Sequence, residues 1–414
     1  MPAAATPGTP SLLRALNDRA ALELLLTHGP LSRTRIGHLT GLSKPTASQL
    51  LARLEAAGLV VATGTATGRP GPNAQLYAIN ARAAHVAGLD VTPGRILASV
   101  ADLTGEVIGS HELPYAPGTG PVEQVRRALG EAVKDAGLHL GDIHRVVIAT
   151  PGSFDPRTGV LRYADHLAGW QSPTLLDELA AALPMPVEYE NDVNLVAIAE
   201  QRLGAARGHE DFVLLWNEEG LGAALVLGGR LHRGWTGGAG EVGFLPVPGH
   251  PLVRQVTRVN SGGYQELAGA QVLPSMAARL GVEAPAAPSG SVHGAVHGAE
   301  SGAMVAAAAA LLAQAAAAPE GPHLRLLREY ATALATGLAS LVAVLDPEIV
   351  VLSGALTIAG GEPLRELIEA ELADLAPSRP LLVTGEVRER PVLRGALESA
   401  LAATRDEVFD TSRR

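Results

Sequence analysis

The sequence predicts an α/β protein in which an N-terminal winged helix-turn-helix domain precedes a duplicated, two-lobed α/β body. Three observations point to this fold class. Leucines at helical spacing, interrupted by glycine turns, fill the first 58 residues. From His85 the pattern changes to strand-like segments, and the same strand–turn–strand pattern returns after residue 211. A chain of 414 residues is also long enough for two or three domains.

The composition excludes several classes of protein. Apolar residues make up 47% and charged residues 18% of the chain, unlike a disordered or fibrous protein. The sequence has no Cys, which excludes disulfides, thiolate nucleophiles and Cys-based zinc or iron–sulfur sites. The N-terminus lacks a signal-peptide pattern, and the longest apolar run, 303–318, is Ala-rich and predicts an ordinary helix. We therefore expect a soluble, cytoplasmic protein.

Charge is distributed unevenly along the chain. Residues 1–80 hold seven Lys or Arg and three Asp or Glu, whereas the remaining residues hold 25 and 39, and the overall formal charge is −10. A basic N-terminal domain on an acidic body is typical of proteins in which only that domain contacts nucleic-acid phosphates. Chance variation gives a similar difference, so charge alone leaves both interpretations open.

Helix caps and turns define the first domain. A helix over 11–28 ends at a Gly-Pro pair, and Ser32 caps a short second helix. Gly41 makes a tight turn, and Ser43 caps a third helix that carries Pro45 in its first turn, where no backbone hydrogen bond is lost. Two helices joined by such a turn form a helix-turn-helix, whose second helix enters the DNA major groove.

The third helix has one apolar and one polar face. Ala47, Leu50, Leu51 and Leu54 form the stripe that must face the other helices. Two strand-like segments around a Gly- and Pro-rich loop follow at 59–79 and predict a wing. The residues in position to contact DNA are Arg33, Ser43, Lys44, Pro45, Thr46, Ser48, Gln49, Arg53 and, in the wing, Arg69. The alternative is a three-helix module for protein interaction or dimerisation.

The body is predicted to contain two copies of one α/β unit. The strand-like segments lie at 85–91, 95–103, 106–114 and 145–152 in the first copy and at 211–217, 222–229 and 230–232 in the second. A helix is predicted near 121–137, between the third and fourth of these segments. Two such units imply two lobes with a cleft between them. Residues 283–303 are of low complexity and are predicted to form a surface loop.

Seven motifs follow one another along the body: GLDV (88–91), ATPGSFD (149–155), AGW (168–170), YENDVN (189–194), GGAGEVGF (237–244), GYQE (263–266) and VLDPEIVVLSGAL (344–356). Their order resembles that of the ROK family, which contains sugar-responsive repressors and sugar kinases. The resemblance covers about residues 12–405 and implies an actin-like fold for the body. The DNA-binding domain is similar to that of the repressor branch, which includes the xylose and N-acetylglucosamine repressors.

The resemblance also implies a sugar site in the cleft. Asn191, Asp192, Glu241 and Glu266 match residues that hold the hexose, and Asp192 matches the general base of the kinases. Carboxylates and carboxamides suit vicinal hydroxyls because they form paired hydrogen bonds. Phe244 replaces a His that contacts both sugar and zinc in the family, and its ring can stack on the apolar face of a sugar. The alternative is that Asp192 and Glu241 only cap helices.

The chain departs from the zinc and phosphate motifs of the family. Without Cys, and with Phe244 in place of the His, the family's structural zinc cannot form, and we expect packing by Tyr264 to hold that segment. In the phosphate turns, Pro93 removes a backbone donor, while Glu218 and Glu219 place carboxylates where phosphates would lie. Each such charge pair repels by about 1–4 kcal/mol. We therefore expect no metal, no cofactor, no catalytic residue and no phosphoryl transfer.

These features predict a sugar-responsive transcriptional regulator, of the repressor type commoner in the family. It would bind operator DNA as a homodimer or tetramer and a sugar or sugar derivative in the cleft. The predicted domains are the winged helix-turn-helix (1–80), the N-terminal lobe (81–195) and the C-terminal lobe with the dimerisation region (196–414). Two alternatives stay open: a sugar kinase with an appended DNA-binding domain, and a dimeric scaffold without an effector, which Phe244 favours.

Overall fold

The computed structural model describes residues 10–65, 74–116, 118–155, 157–162, 167, 169–254, 262–283 and 296–411. They form a small domain of three helices and a sheet, followed by two α/β units that are each built on a five-stranded sheet. No helix within these ranges is both long and apolar enough to cross a membrane. The predicted wing residue Arg69 lies outside the described residues.

The N-terminal domain contains the three predicted helices and two wing strands. Its elements are α1 (Pro10–His28), β1 (Leu31–Ser32), α2 (Arg33–Thr40), α3 (Lys44–Ala56), β2 (Val60–Thr65) and β3 (Gln75–Ile79). The predicted caps are confirmed, because Ser32 Oγ accepts the N–H of Arg35 at 3.3 Å and Ser43 Oγ that of Thr46 at 3.4 Å. Gly41 adopts a φ of 71°, which glycine favours. The apolar stripe of α3 is buried, also as predicted.

The first α/β unit begins with an antiparallel meander. Its elements are β4 (His85–Val91), β5 (Arg95–Asp102), β6 (Val107–Pro114), α4 (Pro121–Asp135), β7 (Ile143–Thr150), β8 (Ser153–Asp155), β9 (Val160–Arg162), α5 (Leu175–Ala182), β10 (Val187–Asn191) and α6 (Asp192–Leu203). The sheet order is β10–β7–β4–β5–β6, and β4 pairs antiparallel with β5 and parallel with β7. Trp170 of the AGW motif is buried in the core of this unit.

The second α/β unit repeats this topology. Its elements are β11 (Phe212–Asn217), β12 (Leu221–Leu227), β13 (Arg230–Leu231), α7 (Gly263–Ala268), α8 (Leu273–Leu280), α9 (Val296–Ala317), α10 (Gly321–Leu345), β14 (Ile349–Ser353), α11 (Ala355–Leu375), β15 (Leu381–Thr384) and α12 (Pro391–Val408). Strand β11 pairs antiparallel with β12 and parallel with β14, as β4 does with β5 and β7, so the predicted duplication is confirmed. The predicted loop over 283–303 is wrong from Val296 onward, where α9 begins, because Ala favours helix, and residues 284–295 lie outside the described ranges.

Helix α12 connects the two units and the N-terminal domain. It packs against α6 and against strands β4 and β7 of the first sheet. A Cβ on Gly395 would overlap the carbonyl oxygen of Leu195, so α12 and α6 are in close backbone contact. At its far end, Val408 and Phe409 are buried in the hydrophobic cluster of the N-terminal domain. The end of the chain thus returns to the first sheet. The predicted boundary between the two lobes, at residues 195 and 196, stays a prediction.

Candidate functional site

Asn191 and Asp192 lie at the beginning of α6, at the edge of the cleft. Asn191 caps the helix, because its Oδ1 accepts the N–H of Asn194 at 3.0 Å while its Nδ2 donates to the carbonyl oxygen of Gly152 at 2.9 Å. Asp192 Oδ1 accepts only the adjacent N–H of Val193 at 2.8 Å. The capping role that was the alternative for Asp192 therefore belongs to Asn191.

Three other carboxyl groups lie close enough to Asp192 to raise its pKa. Burial, with the charges of Asp90, Glu241 and Glu218, raises the pKa of Asp192 to about 7, although the N–H of Val193 lowers it. Burial is also the main cause of the raised pKa of Glu218, at about 7, and of Glu241. Carboxyl groups that are partly protonated near neutral pH can both donate to and accept from ligand hydroxyls.

Asp90 belongs to the same group and has one cationic partner. Burial raises its pKa, whereas Arg95, whose Nη2 lies 3.2 Å from Asp90 Oδ2, lowers it. Arg95 Nη1 is buried without a hydrogen-bond partner. An ion pair therefore lies at the end of β4, and one nitrogen of its guanidinium group is able to donate a further hydrogen bond.

The remaining predicted sugar residues gather near the start of β12. Glu241 precedes a single helical turn, Val242–Phe244, and makes no capping hydrogen bond to it. Helix α7, which carries Glu266, abuts this turn, since the N–H of Tyr264 donates to the carbonyl oxygen of Leu245 at 2.9 Å. Phe244 and Glu266 are both half-buried. The structure thus brings Glu241, Phe244 and Glu266 onto neighbouring segments of the second unit.

Three buried polar atoms near strand ends have no hydrogen-bond partner among the residues that the structure describes. They are Oγ1 of Thr150, the last residue of β7, Oγ of Ser153, the first residue of β8, and Oδ1 of Asn217, the last residue of β11. Buried polar atoms normally have hydrogen-bond partners, and ligands of open α/β sheets bind beyond the carboxyl ends of the strands. The position of these three atoms therefore fits a ligand rich in hydroxyl groups.

The turn that resembles the kinases' phosphate site carries a carboxylate close to a helix N-terminus. The backbone N–H of Ala355, the first residue of α11, lowers the pKa of Glu218, although burial raises that pKa more strongly. A helix N-terminus is a ready site for anions, and here the Glu218 carboxylate lies near it. In the other phosphate-type turn, the N–H and Oγ1 of Thr92 both donate to the carbonyl oxygen of Arg95, and Pro93 offers no N–H.

Tyr264 anchors the segment that carries zinc ligands in the family. Its side chain is fully buried, and its hydroxyl donates to the carbonyl oxygen of Leu334 at 2.6 Å. Its ring occupies the space where a Cβ on Gly337 would lie. The predicted packing role of Tyr264 is confirmed. Within the described ranges, we find no cluster of three His, Asp or Glu side chains that could hold a metal ion.

Most of the residues predicted to contact DNA are exposed on or beside α3. Arg33, Ser43, Lys44, Pro45, Thr46 and Gln49 are exposed, and Ser48 is half-buried with its hydroxyl donating to the carbonyl oxygen of Lys44. Arg53 is 41% exposed, but its Nη2 donates to Asp18 Oδ1 at 2.6 Å, and the Asp18 side chain is only 4% exposed. Asp18 Oδ2 also accepts the hydroxyl of Thr411 at 3.1 Å. Arg53 therefore has a structural partner in addition to its predicted role on DNA.

Some residues that hold the site together were not identified from the sequence. Glu190 accepts the N–H of Asn191, the Nδ2 of Asn194 and, at 2.6 Å, the Nε of Arg233. Gln265 Oε1 accepts the N–H of Leu221 at 2.6 Å. Glu190 and Gln265 lie inside motifs quoted above, and this position could have marked them as site residues. Nothing in the sequence indicates that Glu190 contacts Arg233 or that Gln265 contacts Leu221.

A winged helix-turn-helix joined to a two-lobed body with a polar cleft defines a class of DNA-binding proteins that carry a ligand-binding domain. The ROK family profile matches residues 86–403, and the MarR family profile matches residues 16–69. This chain belongs to the ROK family. The predicted fold, a helix-turn-helix domain followed by an actin-like ROK domain, is confirmed.

Both regulators and kinases are among the similar proteins. The putative xylose repressor of Caldicellulosiruptor sp. (strain Rt8B.4) is 26% identical over 363 residues, which cover 87% of this chain and 88% of the relative. A solved ROK family transcriptional regulator, a homolog of the E. coli MLC protein, has a TM-score of 0.71 at 19% identity, with 97% and 98% coverage. The ROK hexokinase from Thermus thermophilus has a TM-score of 0.61 at 27% identity, with 78% and 99% coverage.

Proposed function

We propose that this protein is a cytoplasmic, sugar-responsive transcriptional repressor. The N-terminal domain would bind operator DNA, and the cleft would bind a sugar or sugar derivative. The similarity to a putative xylose repressor over most of both chains supports this function. The observation that carries the proposal is helix α12, which contacts the cleft helix α6 at one end and the DNA-binding domain at the other.

The DNA-binding surface would consist of α3 and the residues around it. Each α3 of a homodimer would enter one half-site of the operator, with Thr46 and Gln49 reaching base edges and Lys44 a phosphate. Leu12, Leu13 and Leu16 are exposed at the start of α1, which supports pairing with a second copy of the chain. Further pairing of dimers would give a tetramer.

The effector would lie between the beginning of α6 and the start of β12. Asn191, Asp192, Glu241 and Glu266 would hydrogen-bond to its hydroxyls, and Phe244 would pack against its ring. The unpaired buried atoms of Thr150, Ser153 and Asn217 support this placement because ligand hydroxyls would satisfy them.

Helix α12 would transmit the state of the cleft to the DNA-binding domain. The effector would contact the first residue of α6, and α6 touches α12 through Leu195 and Gly395. Beyond α12, Thr411 hydrogen-bonds to Asp18, which is paired with Arg53 of α3. A sugar that binds one arrangement of the lobes more tightly would shift this connection and lower DNA affinity.

The alternative function is a sugar kinase, which the similarity to the Thermus thermophilus hexokinase favours. Glu218 opposes it, because its carboxylate lies near the N-terminus of α11 and would repel a phosphate that bound there. We infer that the cleft binds sugar without phosphoryl transfer, so that Asp192 matches the kinase base but is not catalytic.

Thermal unfolding of the full-length protein with a panel of sugars, each with and without Mg-ATP, tests this proposal. We expect one sugar to raise the Tm, because a ligand at 100-fold its Kd adds about 2.7 kcal/mol. Mg-ATP should add nothing, and no sugar phosphate should form. A Tm rise with ATP together with phosphate transfer would establish the kinase instead. If every sugar leaves the Tm unchanged, the effector-less scaffold is the correct function.

A further inference from the structure

Trp235 has a large aromatic side chain that is exposed to solvent. It is 78% exposed and lies on the loop between β13 and Glu241, one of the proposed sugar ligands. The guanidinium carbon of Arg157, which follows β8 in the first unit, lies 4.8 Å from the centroid of the indole ring. The two residues therefore meet where the two units are in contact, one from each unit.

The loop that carries Trp235 is held on both sides. Arg233 Nε donates to Glu190 Oε2 at 2.6 Å, which ties the start of the loop to the strand before α6. A Cβ on Gly237 would overlap the carbonyl oxygen of Phe154, and one on Gly240 would overlap that of Ala223. These close backbone contacts hold the backbone of the loop against both units, and the indole projects from this loop.

The indole lies next to the proposed sugar site. Gly237 packs beside Ser153, whose Oγ is buried and unpaired, and Asn191 donates to the carbonyl oxygen of the preceding residue, Gly152. Trp235 is two residues from Gly237, a Cα separation of no more than about 7 Å. The loop that carries the indole therefore lies against the segment that carries Ser153 and contacts Asn191.

We propose that Trp235 and Arg157 form a second sugar subsite, so that the preferred effector is a disaccharide or a related glycoside. This inference rests on the proposed function. Single exposed apolar side chains are ordinary, but an indole beside the proposed sugar site offers a flat apolar face to the C–H groups of a second ring. Arg157 covers part of the indole and supplies donors for the hydroxyls of that ring.

Calorimetric titration of the full-length protein with matched sugars tests the subsite. The probes are xylose with xylobiose, N-acetylglucosamine with diacetylchitobiose, and glucose with cellobiose. The proteins are the wild type, Trp235→Ala, Trp235→Phe and a control, Val344→Ala, which removes an equally exposed side chain from α10. The wild type should bind one disaccharide at least about tenfold more tightly than its monosaccharide.

Trp235→Ala should abolish that preference while changing monosaccharide affinity less than about twofold, and Trp235→Phe should retain most of it. Val344→Ala should behave as the wild type. Tight binding of a monosaccharide without a disaccharide preference would overturn the subsite and leave the proposed function intact. An equal loss of both affinities in Trp235→Ala would also overturn it. If no probe binds, the proposed function fails, and the subsite fails with it.

Discussion

Asp192 is expected to destabilise the ligand-free protein at neutral pH. Its pKa is raised from 3.8 to about 7, mainly by burial. A carboxyl group with a raised pKa in the folded state favours folding in its protonated form. Its contribution to the free energy of unfolding is therefore fully present below about pH 4, and this contribution falls as pH rises toward 7. At about 1.4 kcal/mol for each pKa unit, the ionised side chain costs about 4 kcal/mol above pH 7.

Replacement of Asp192 by Asn removes the charge and keeps the size of the side chain. The variant should therefore be more stable than the wild type at pH 8 by up to about 4 kcal/mol, and the difference should disappear near pH 4. Urea unfolding followed by circular dichroism at pH 4, 6 and 8 measures this difference. Asp177→Asn, at an exposed position on α5, is the control and should change stability by less than about 0.5 kcal/mol.

Two results would refute this reasoning about Asp192. One is an Asn variant that is less stable than the wild type at pH 8. The other is a stability difference that does not change with pH, because the charge of the carboxylate would then cost nothing in the folded cleft. The same variant should lose sugar affinity, as expected for a polar group kept at a functional site at the expense of stability.

Three further predictions concern the N-terminal domain and the α6–α12 contact. Arg53→Ala should lower the free energy of unfolding by about 1–3 kcal/mol in urea, because the buried Asp18 loses its cation. Gln49→Ala should leave stability within about 0.5 kcal/mol but weaken operator binding, measured by fluorescence anisotropy, by about 1–3 kcal/mol. Gly395→Ala should lower the Tm by an amount equivalent to about 1–3 kcal/mol and reduce the effect of sugar on DNA binding, because its Cβ would collide with the Leu195 carbonyl. An unchanged stability for Arg53→Ala or Gly395→Ala, or an unchanged operator affinity for Gln49→Ala, would contradict the respective prediction.

Local signals in the sequence predicted much of the fold. Ser32, Gly41 and Ser43 mark the ends of the first helices because caps and turns depend on neighbouring residues only. The duplication was visible because both units open with two apolar strands of similar length that are joined by a short turn. Strand β1, only two residues long, gave no such signal, since it exists through its pairing with β3.

The site was only partly predictable, because much of it depends on contacts between residues far apart in the chain. The ion pairs Glu190–Arg233 and Asp18–Arg53 join different elements, and no spacing in the sequence indicates them. The return of α12 to the N-terminal domain is likewise a tertiary feature. We expected a loop at 283–303 because the segment is of low complexity, but a helix begins at Val296 because Ala favours helix.

The most direct test of the central claim is binding of the full-length protein to DNA from its own upstream region, repeated with a titration of each sugar in the panel. The measurement should be made at more than one salt concentration, because phosphate contacts weaken as salt rises. The account predicts specific binding that one sugar weakens. Binding that no sugar alters would contradict the effector role of the cleft, and absence of binding at low salt would contradict the DNA-binding role of α3.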